Sequence, residues 1–285
     1  MFTYLGYRLL ELFIILLPYP LAYIAASGGA RLWFATGSSV DCIKKNISIV
    51  LKKDIGDPEV HRIAKRIFIN WGKNITDFLK HKVVSREKLK QRIKIEGLEN
   101  LRKGLKKGKG VVIFSCHIGN FEWAASRIGV EGYKIWGITL FRKSERTNRF
   151  FESNRLSKGF LTVYVNRIHH VFRHLRNNEI VAVPLDWDST GKSARPFDFF
   201  GKKANLPTGA LQLALRSGAA LIPCFIWRDG KYMHQQIIGE PVELELSGEK
   251  EELIEKNMKK IIPIMEKYIR EHIIEWELFH DIWTD

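Results

Sequence analysis

The chain has 285 residues, with 46 Lys and Arg against 31 Asp and Glu, and 45% of it is hydrophobic. That is too apolar for a mostly disordered chain and long enough to bury a sizeable core. The net charge of +15 points to an anionic partner (nucleic acid, anionic lipid or an acidic protein), while three scattered cysteines without a Cys-x-x-Cys pair exclude a disulfide framework or a zinc finger.

From Leu12 to Ala30 no charged residue occurs. The stretch is at the lower edge of what crosses a bilayer as a helix. Pro18 and Pro20 break its middle, Glu11 lies inside its start, and Ser27-Gly28-Gly29 closes it. Residues 1–35 are therefore expected to form a membrane anchor or interfacial segment, with Tyr4, Tyr7, Tyr19, Tyr23 and Trp33 near its ends. A buried amino-terminal helix followed by a turn is the alternative. Between Asp41 and Gly110, 20 Lys and Arg stand against 8 Asp and Glu, a basic stretch suited to anionic head groups on the cytoplasmic side.

Residues 36–285 show no repeat, low-complexity tract or linker and read as one domain. Apolar spacing predicts helices over Val40 to Leu51 and Pro58 to Phe78, the second started by Asp57-Pro58, and a short one over Leu98 to Leu105. Continuous apolar runs at Val111 to Phe114, Ile180 to Leu185 and Ala219 to Trp227 read as buried strands, and Ile135 to Leu140 as another. Helical stretches lie between them: Phe121 to Ile128, Arg149 to Leu156, His169 to Arg176 and Gly209 to Ser217. A last helix is expected over roughly Lys250 to His280. Strands alternating with helices predict a single α/β domain with a mostly parallel central sheet flanked by helices, in addition to the amino-terminal apolar helix.

The most informative stretch is Ser115-Cys116-His117-Ile118-Gly119-Asn120-Phe121-Glu122. A buried strand ends in a His, then a Gly-Asn turn, then a helix. Carboxyl ends of strands are where open α/β sheets bind ligands. Glu122 falls in the first turn of the helix, close enough across the turn to accept the Nδ1 proton of His117 and leave Nε2 as a general base. Free N–H groups at the helix start would stabilise an oxyanion. The competing reading is a structural His and a surface carboxylate. Cys116 points to the other face and reads as core. No Gly-x-Ser-x-Gly elbow or P-loop occurs, and His170 and His174 read as a solvated face. Arg142 after the strand to Leu140, with Arg146, Arg149 and Arg155 beyond, suits phosphate or a developing anion. Asp186-Trp187-Asp188 lacks a third metal ligand, so Asp186 reads as a hydrogen-bond partner of an arginine or a substrate hydroxyl.

On these residues the chain resembles the lysophospholipid-type acyltransferases, and with Glu at the second motif position it looks most like the lipid A late acyltransferase (lauroyl/myristoyl) branch. Asp186-Trp187-Asp188-Ser189, Phe199-Phe200-Gly201, Ala204, Pro207, Gly209, Pro223 and the closing Glu275-Trp276-Glu277-Leu278-Phe279-His280 extend the resemblance over nearly the whole chain. It implies a membrane-associated enzyme on the cytoplasmic face of a bacterial inner membrane, peripheral or single-pass. Such an enzyme moves a fatty acyl chain from acyl carrier protein or acyl-CoA to a glycolipid hydroxyl, with no metal or cofactor. Carried over, His117 is the base and Glu122 orients it. Gly119, Asn120, Arg142, Arg155 and Asp186 serve substrate binding, Arg155 with Gly159 resembling an Arg-x3-Gly block. Lys143 where a Pro commonly follows the arginine, and Asp281 where a basic residue follows the closing His, leave the acceptor open. Glycerophospholipids and phosphatidylinositol mannosides remain alternatives, and a basic nucleic-acid-binding protein is the non-enzymatic rival.

Overall fold

The computed structural model of the protein describes residues 2–37, 39–188, 190–191 and 193–284. Ser189, at the head of the loop that leads to Gly201, lies outside the described residues.

The apolar amino terminus folds as two helices, α1 (Phe2–Leu16) and α2 (Tyr19–Ala35), where a single one was expected. The break falls at Pro18, with Pro20 in the first turn of α2, where a missing N–H costs nothing. Among the described residues no helix is long and apolar enough to cross a membrane, so the single-pass alternative lacks support. The next helices are α3 (Val40–Leu51), α4 (Pro58–Leu79) and α5 (Arg86–Arg92). Asp57 caps α4 by accepting from the amide of Glu59 at 2.7 Å.

The α/β body runs β1 (Ile93–Glu96), α6 (Leu98–Leu105), β2 (Val111–Ser115), α7 (Phe121–Val130), β3 (Ile135–Thr139), α8 (Glu145–Leu156), β4 (Phe160–Tyr164), α9 (His169–Arg176) and β5 (Ile180–Pro184). A hairpin follows, β6 (Ala194–Phe199) and β7 (Lys202–Pro207), then α10 (Gly209–Ser217), β8 (Ala220–Asp229), β9 (Met233–Ile238) and α11 (Lys250–Glu271). The main sheet has the order β1-β9-β8-β2-β5-β3-β4. From β8 to β4 every neighbouring pair is parallel, and only β8 and β9 pair antiparallel. The expected α/β domain with a mostly parallel sheet is thus observed.

Strand β2 sits in the middle and is buried on both faces, which explains its unbroken apolar run. Val112 and Phe114 join the larger core cluster with α4, α10 and α11, while Val111 and Ile113 join the cluster with α6 and α7. The last helix stops at Glu271, shorter than expected. A 3-10 turn over Ile273–Glu275 follows, and Trp276 then makes a bridge to Ile118. Backbone donors and acceptors of residues 275–277 serve the loop after β2 instead of continuing a helix. The site is built there.

Candidate active site

Three adjacent parallel strands end side by side. β2 is followed by His117, β5 by Asp186, and β3 by Arg142. Asp186 is fully buried and accepts three hydrogen bonds. Its Oδ1 takes the His117 ring Nδ1 at 2.7 Å, and its Oδ2 takes the His117 amide at 2.8 Å and the Trp276 indole Nε1 at 3.0 Å. Burial would raise the Asp186 carboxyl, but the His117 ring and amide and the Trp276 N–H together hold it below the ordinary carboxylate value. For His117, burial would lower the ring, yet the Asp186 charge outweighs it and the ring sits above its usual value. The carboxylate fixes the tautomer with hydrogen on Nδ1 and leaves Nε2 as the basic nitrogen. The His117 side chain remains 20% exposed, so that nitrogen is reachable.

The expected His117–Glu122 pair is not formed. The Glu122 carboxylate is taken by Arg155, with Nε to Oε2 at 2.9 Å and Nη2 to Oε1 at 2.5 Å. The fork geometry of this pair, with Arg155 buried, explains the choice: a bidentate guanidinium satisfies a half-buried carboxylate better than one ring nitrogen does. Arg142 lies within electrostatic reach of both members of that pair, and its guanidinium packs on the Phe151 ring at 3.8 Å. Asn148 holds its backbone on both sides, at 3.0 and 2.9 Å. Arg146 and Arg149 are exposed, as expected of a solvated helix face.

The turn between His117 and Glu122 is clamped. Gly119 has φ +58°, and a Cβ there would stand 2.3 Å from the carbonyl oxygen of Ile226 on β8. Its amide donates to Glu275 O at 2.8 Å, while the amide of Glu277 donates to His117 O at 2.7 Å. Asn120 caps α7 by accepting from the Trp123 amide, and its Nδ2 reaches Asp77 of α4 at 3.3 Å. The amides of Ile118, Gly119, Phe121 and Trp123 are all bonded within the protein. The helix start therefore offers far fewer oxyanion donors than its sequence suggested.

Behind the clamp lies a buried polar network. Asp77 accepts from Tyr23 of α2 at 2.7 Å and from Arg228 of β8 at 3.0 Å. Asn70 and Asn74, one turn apart on α4, hold Glu275 at 2.8 Å and Glu277 at 2.6 Å. Burial pushes Glu275 up to about 7 and Glu277 well above the ordinary range.

At the mouth, the Trp187 and His280 rings stack at 3.7 Å with 4° between their planes, and Trp187 stands 6.2 Å from the His117 ring. Cys116 is core, as read, and burial keeps its thiol protonated. His174 is not a solvated residue: it stacks on Trp136 at 3.7 Å and meets Glu179 at 2.9 Å. Sequence reasoning missed Trp276 as a partner of Asp186; only its place in the closing motif pointed to it.

Residues 1–285 match the family model described as Bacterial lipid A biosynthesis acyltransferase. A phosphatidylinositol mannoside acyltransferase of Mycobacterium tuberculosis (strain ATCC 25618 / H37Rv) is 26% identical over 213 residues, 71% of this chain. The match spans 66% of that relative, just under two thirds of its length. Another from Mycolicibacterium smegmatis (strain ATCC 700084 / mc(2)155) is 24% identical over 231 residues, 79% of this chain and 73% of the relative. Among solved structures, the 1-acyl-sn-glycerophosphate (LPA) acyltransferase PlsC from Thermotoga maritima aligns with a TM-score of 0.39 at 14% identity, covering 80% of this chain and 94% of that one. With its whole length matched, the chain belongs to the bacterial lipid A biosynthesis acyltransferase family.

Proposed function

We propose that the protein transfers a fatty acyl chain from a thioester donor, acyl carrier protein or acyl-CoA, to a hydroxyl of a glycolipid at a membrane surface. The observation that carries this is the His117–Asp186 pair: an oriented, reachable imidazole at a strand end, raised in basicity by a buried carboxylate. The Nε2 of His117 removes the proton of the acceptor hydroxyl, and the oxygen attacks the thioester carbonyl. Arg142 is assigned to the oxyanion or to an acceptor phosphate. As the intermediate collapses, the C–S bond breaks and the imidazolium returns its proton to the thiolate. No resident metal or cofactor is required.

The family points to a lipid A precursor as acceptor, and the printed names of the relatives support a phosphatidylinositol mannoside as the second reading. Both are phosphorylated glycolipids, which a cationic surface and Arg142 would suit. The exposed apolar side chains of α1 and α2, among them Leu9, Phe13, Leu16 and Ile24, support interfacial seating on an anionic membrane. Radiolabelled acyl transfer in mixed micelles, with acyl carrier protein and acyl-CoA donors against lipid A precursor, mannoside and lysophosphatidate acceptors, tests the reading. His117→Ala is expected to abolish turnover with the fold intact. Turnover that survives it sinks the mechanism.

A further inference from the structure

The carboxylate behind a catalytic His is normally described by the one bond it makes to the ring. Here Asp186 has a second, independent anchor. Its Oδ2, the oxygen that does not face the ring, accepts the indole N–H of Trp276 at 3.0 Å together with the His117 amide. Trp276 is 1% exposed and lies directly across an isolated bridge from Ile118, the residue after His117. Its neighbours fix its backbone on both sides: Glu275 O receives the Gly119 amide and the Glu277 amide donates to His117 O. The side chains of those same neighbours are held by Asn70 and Asn74 of α4. The indole is thus set by the same short segment that fixes the loop of the base.

From this geometry we infer that Trp276 is a positioning residue of the acyl-transfer site, acting through Asp186 to set the orientation of His117 and its basicity. The inference rests on the reading of His117 as the base. An indole donor can neither titrate in the working range nor be displaced by a substrate, so it fixes one carboxylate oxygen and leaves the other for the ring. It also draws charge from the carboxylate, which limits how far Asp186 can raise His117. The other titratable groups near Asp186 are His117 itself, His280, whose ring stacks on Trp187, and the buried thiol of Cys116.

Trp276→Phe keeps an aromatic ring, smaller than the indole, and removes the donor. We expect kcat about tenfold lower with KM within about twofold, the scale of one lost hydrogen bond to a charged group. The acidic limb of kcat/KM is expected to move upward, since a carboxylate relieved of its indole partner holds the imidazolium more tightly. Trp283→Phe is the control: that indole is also buried and donates to Asn46 Oδ1 at 2.7 Å, away from Asp186, so it is expected to cost stability without moving the limb. If Trp276→Phe does not fold, the ¹H–¹⁵N indole resonances of the wild-type protein decide. One of them, lost in no other single Trp→Phe protein, is expected to titrate with the midpoint of the rate limb, and to stop titrating in His117→Ala. An unmoved limb with unchanged kcat in a folded Trp276→Phe protein, or an indole resonance indifferent to pH, overturns the inference. Turnover surviving His117→Ala instead overturns the underlying reading of the base.

Discussion

A histidine acts as a base only when its ring is neutral, so the Asp186 contact makes a directional claim about pH. Asp186 raises His117 above its ordinary value, about 6.5. Activity is therefore expected to be lost as pH falls through a limb lying above that value, in kcat/KM measured with a saturating donor. Asp186→Asn removes the charge and the tautomer control together, and kcat is expected to fall about 10³- to 10⁴-fold, the scale known for neutralising the acid of a catalytic triad. Glu122 behaves differently. Glu122→Gln leaves Arg155 buried without its counter-ion, so a stability loss of about 3 kcal/mol is expected in denaturant melts. An Arg155→Met partner change should recover part of it. At this scale the sequence was half legible. His117 stood out because a strand ran into it. Its partner did not, because the correct carboxylate is 69 residues away while a wrong one stands five residues on. Spacing along a chain carries no information about which of two acids a guanidinium has already claimed.

Elements were read best where periodicity and burial agree. α3, α6, α9 and α10 have the expected bounds, and β2, β5 and β8 were visible because they are apolar on both faces. β1, β4 and β9 and the β6–β7 hairpin mix polar and apolar residues and gave no such run. The carboxyl-terminal helix was overextended because Ile273, Trp276 and Phe279 continue an apolar rhythm. The backbone carbonyl of Glu275 and the amide of Glu277 nonetheless bond to the loop, at Gly119 and His117, and leave the helix. That clamp has a measurable cost. In Glu275 the folded carboxyl sits at about 7, above its unfolded value of about 4.3, so the folded state holds the extra proton. Its contribution is fully present at low pH, and stability is expected to decline as pH rises from about 4.5 to about 7. Melting temperatures of the wild type and Glu275→Gln across that window should converge on the acidic side and separate in favour of the Gln protein on the alkaline side. Gly119→Ala tests the other side of the clamp. With a left-handed φ and a backbone oxygen in the way, it is expected to lose at least about 2 kcal/mol and most of its turnover.

Across the whole molecule, the apolar residues not used by the core gather at the amino terminus. Leu5, Leu9, Leu12, Phe13 and Leu16 on α1 and Leu21, Ile24 and Leu32 on α2 are exposed. An apolar groove of ≈ 420 Å³ lies between these helices and α4, lined by Phe13, Gly29, Trp33, Trp71 and Ile75 among others. Tyr7 of α1 packs on Phe150 and Phe151, and Arg142 lies over Phe151, so this surface continues to the arginine beside the site. Leu9→Asp with Phe13→Asp is expected to reduce co-sedimentation with anionic vesicles at least tenfold, while turnover of a detergent-dispersed acceptor stays close to wild type. Raising the salt concentration should weaken binding further through the basic stretch between Asp41 and Gly110. Charge and hydropathy along the chain announced this face; that it is two helices folded onto α4, and not one rod, follows from Pro18.

The turn from His117 to Asn120 is bonded to residues 275–277 and to Asp186, and at Gly119 it packs so closely on Ile226 O that no side chain fits between. If His117 is the base, as proposed, a residue held this firmly cannot follow its substrate. Homologues that serve different acceptors would then be retuned at the walls, in the Trp187–His280 stack, in Phe121 and in the loop of Arg142. Such changes, apart from those that alter the charge of His280, would alter which lipid is chosen and leave the acidic limb of the rate profile where it was.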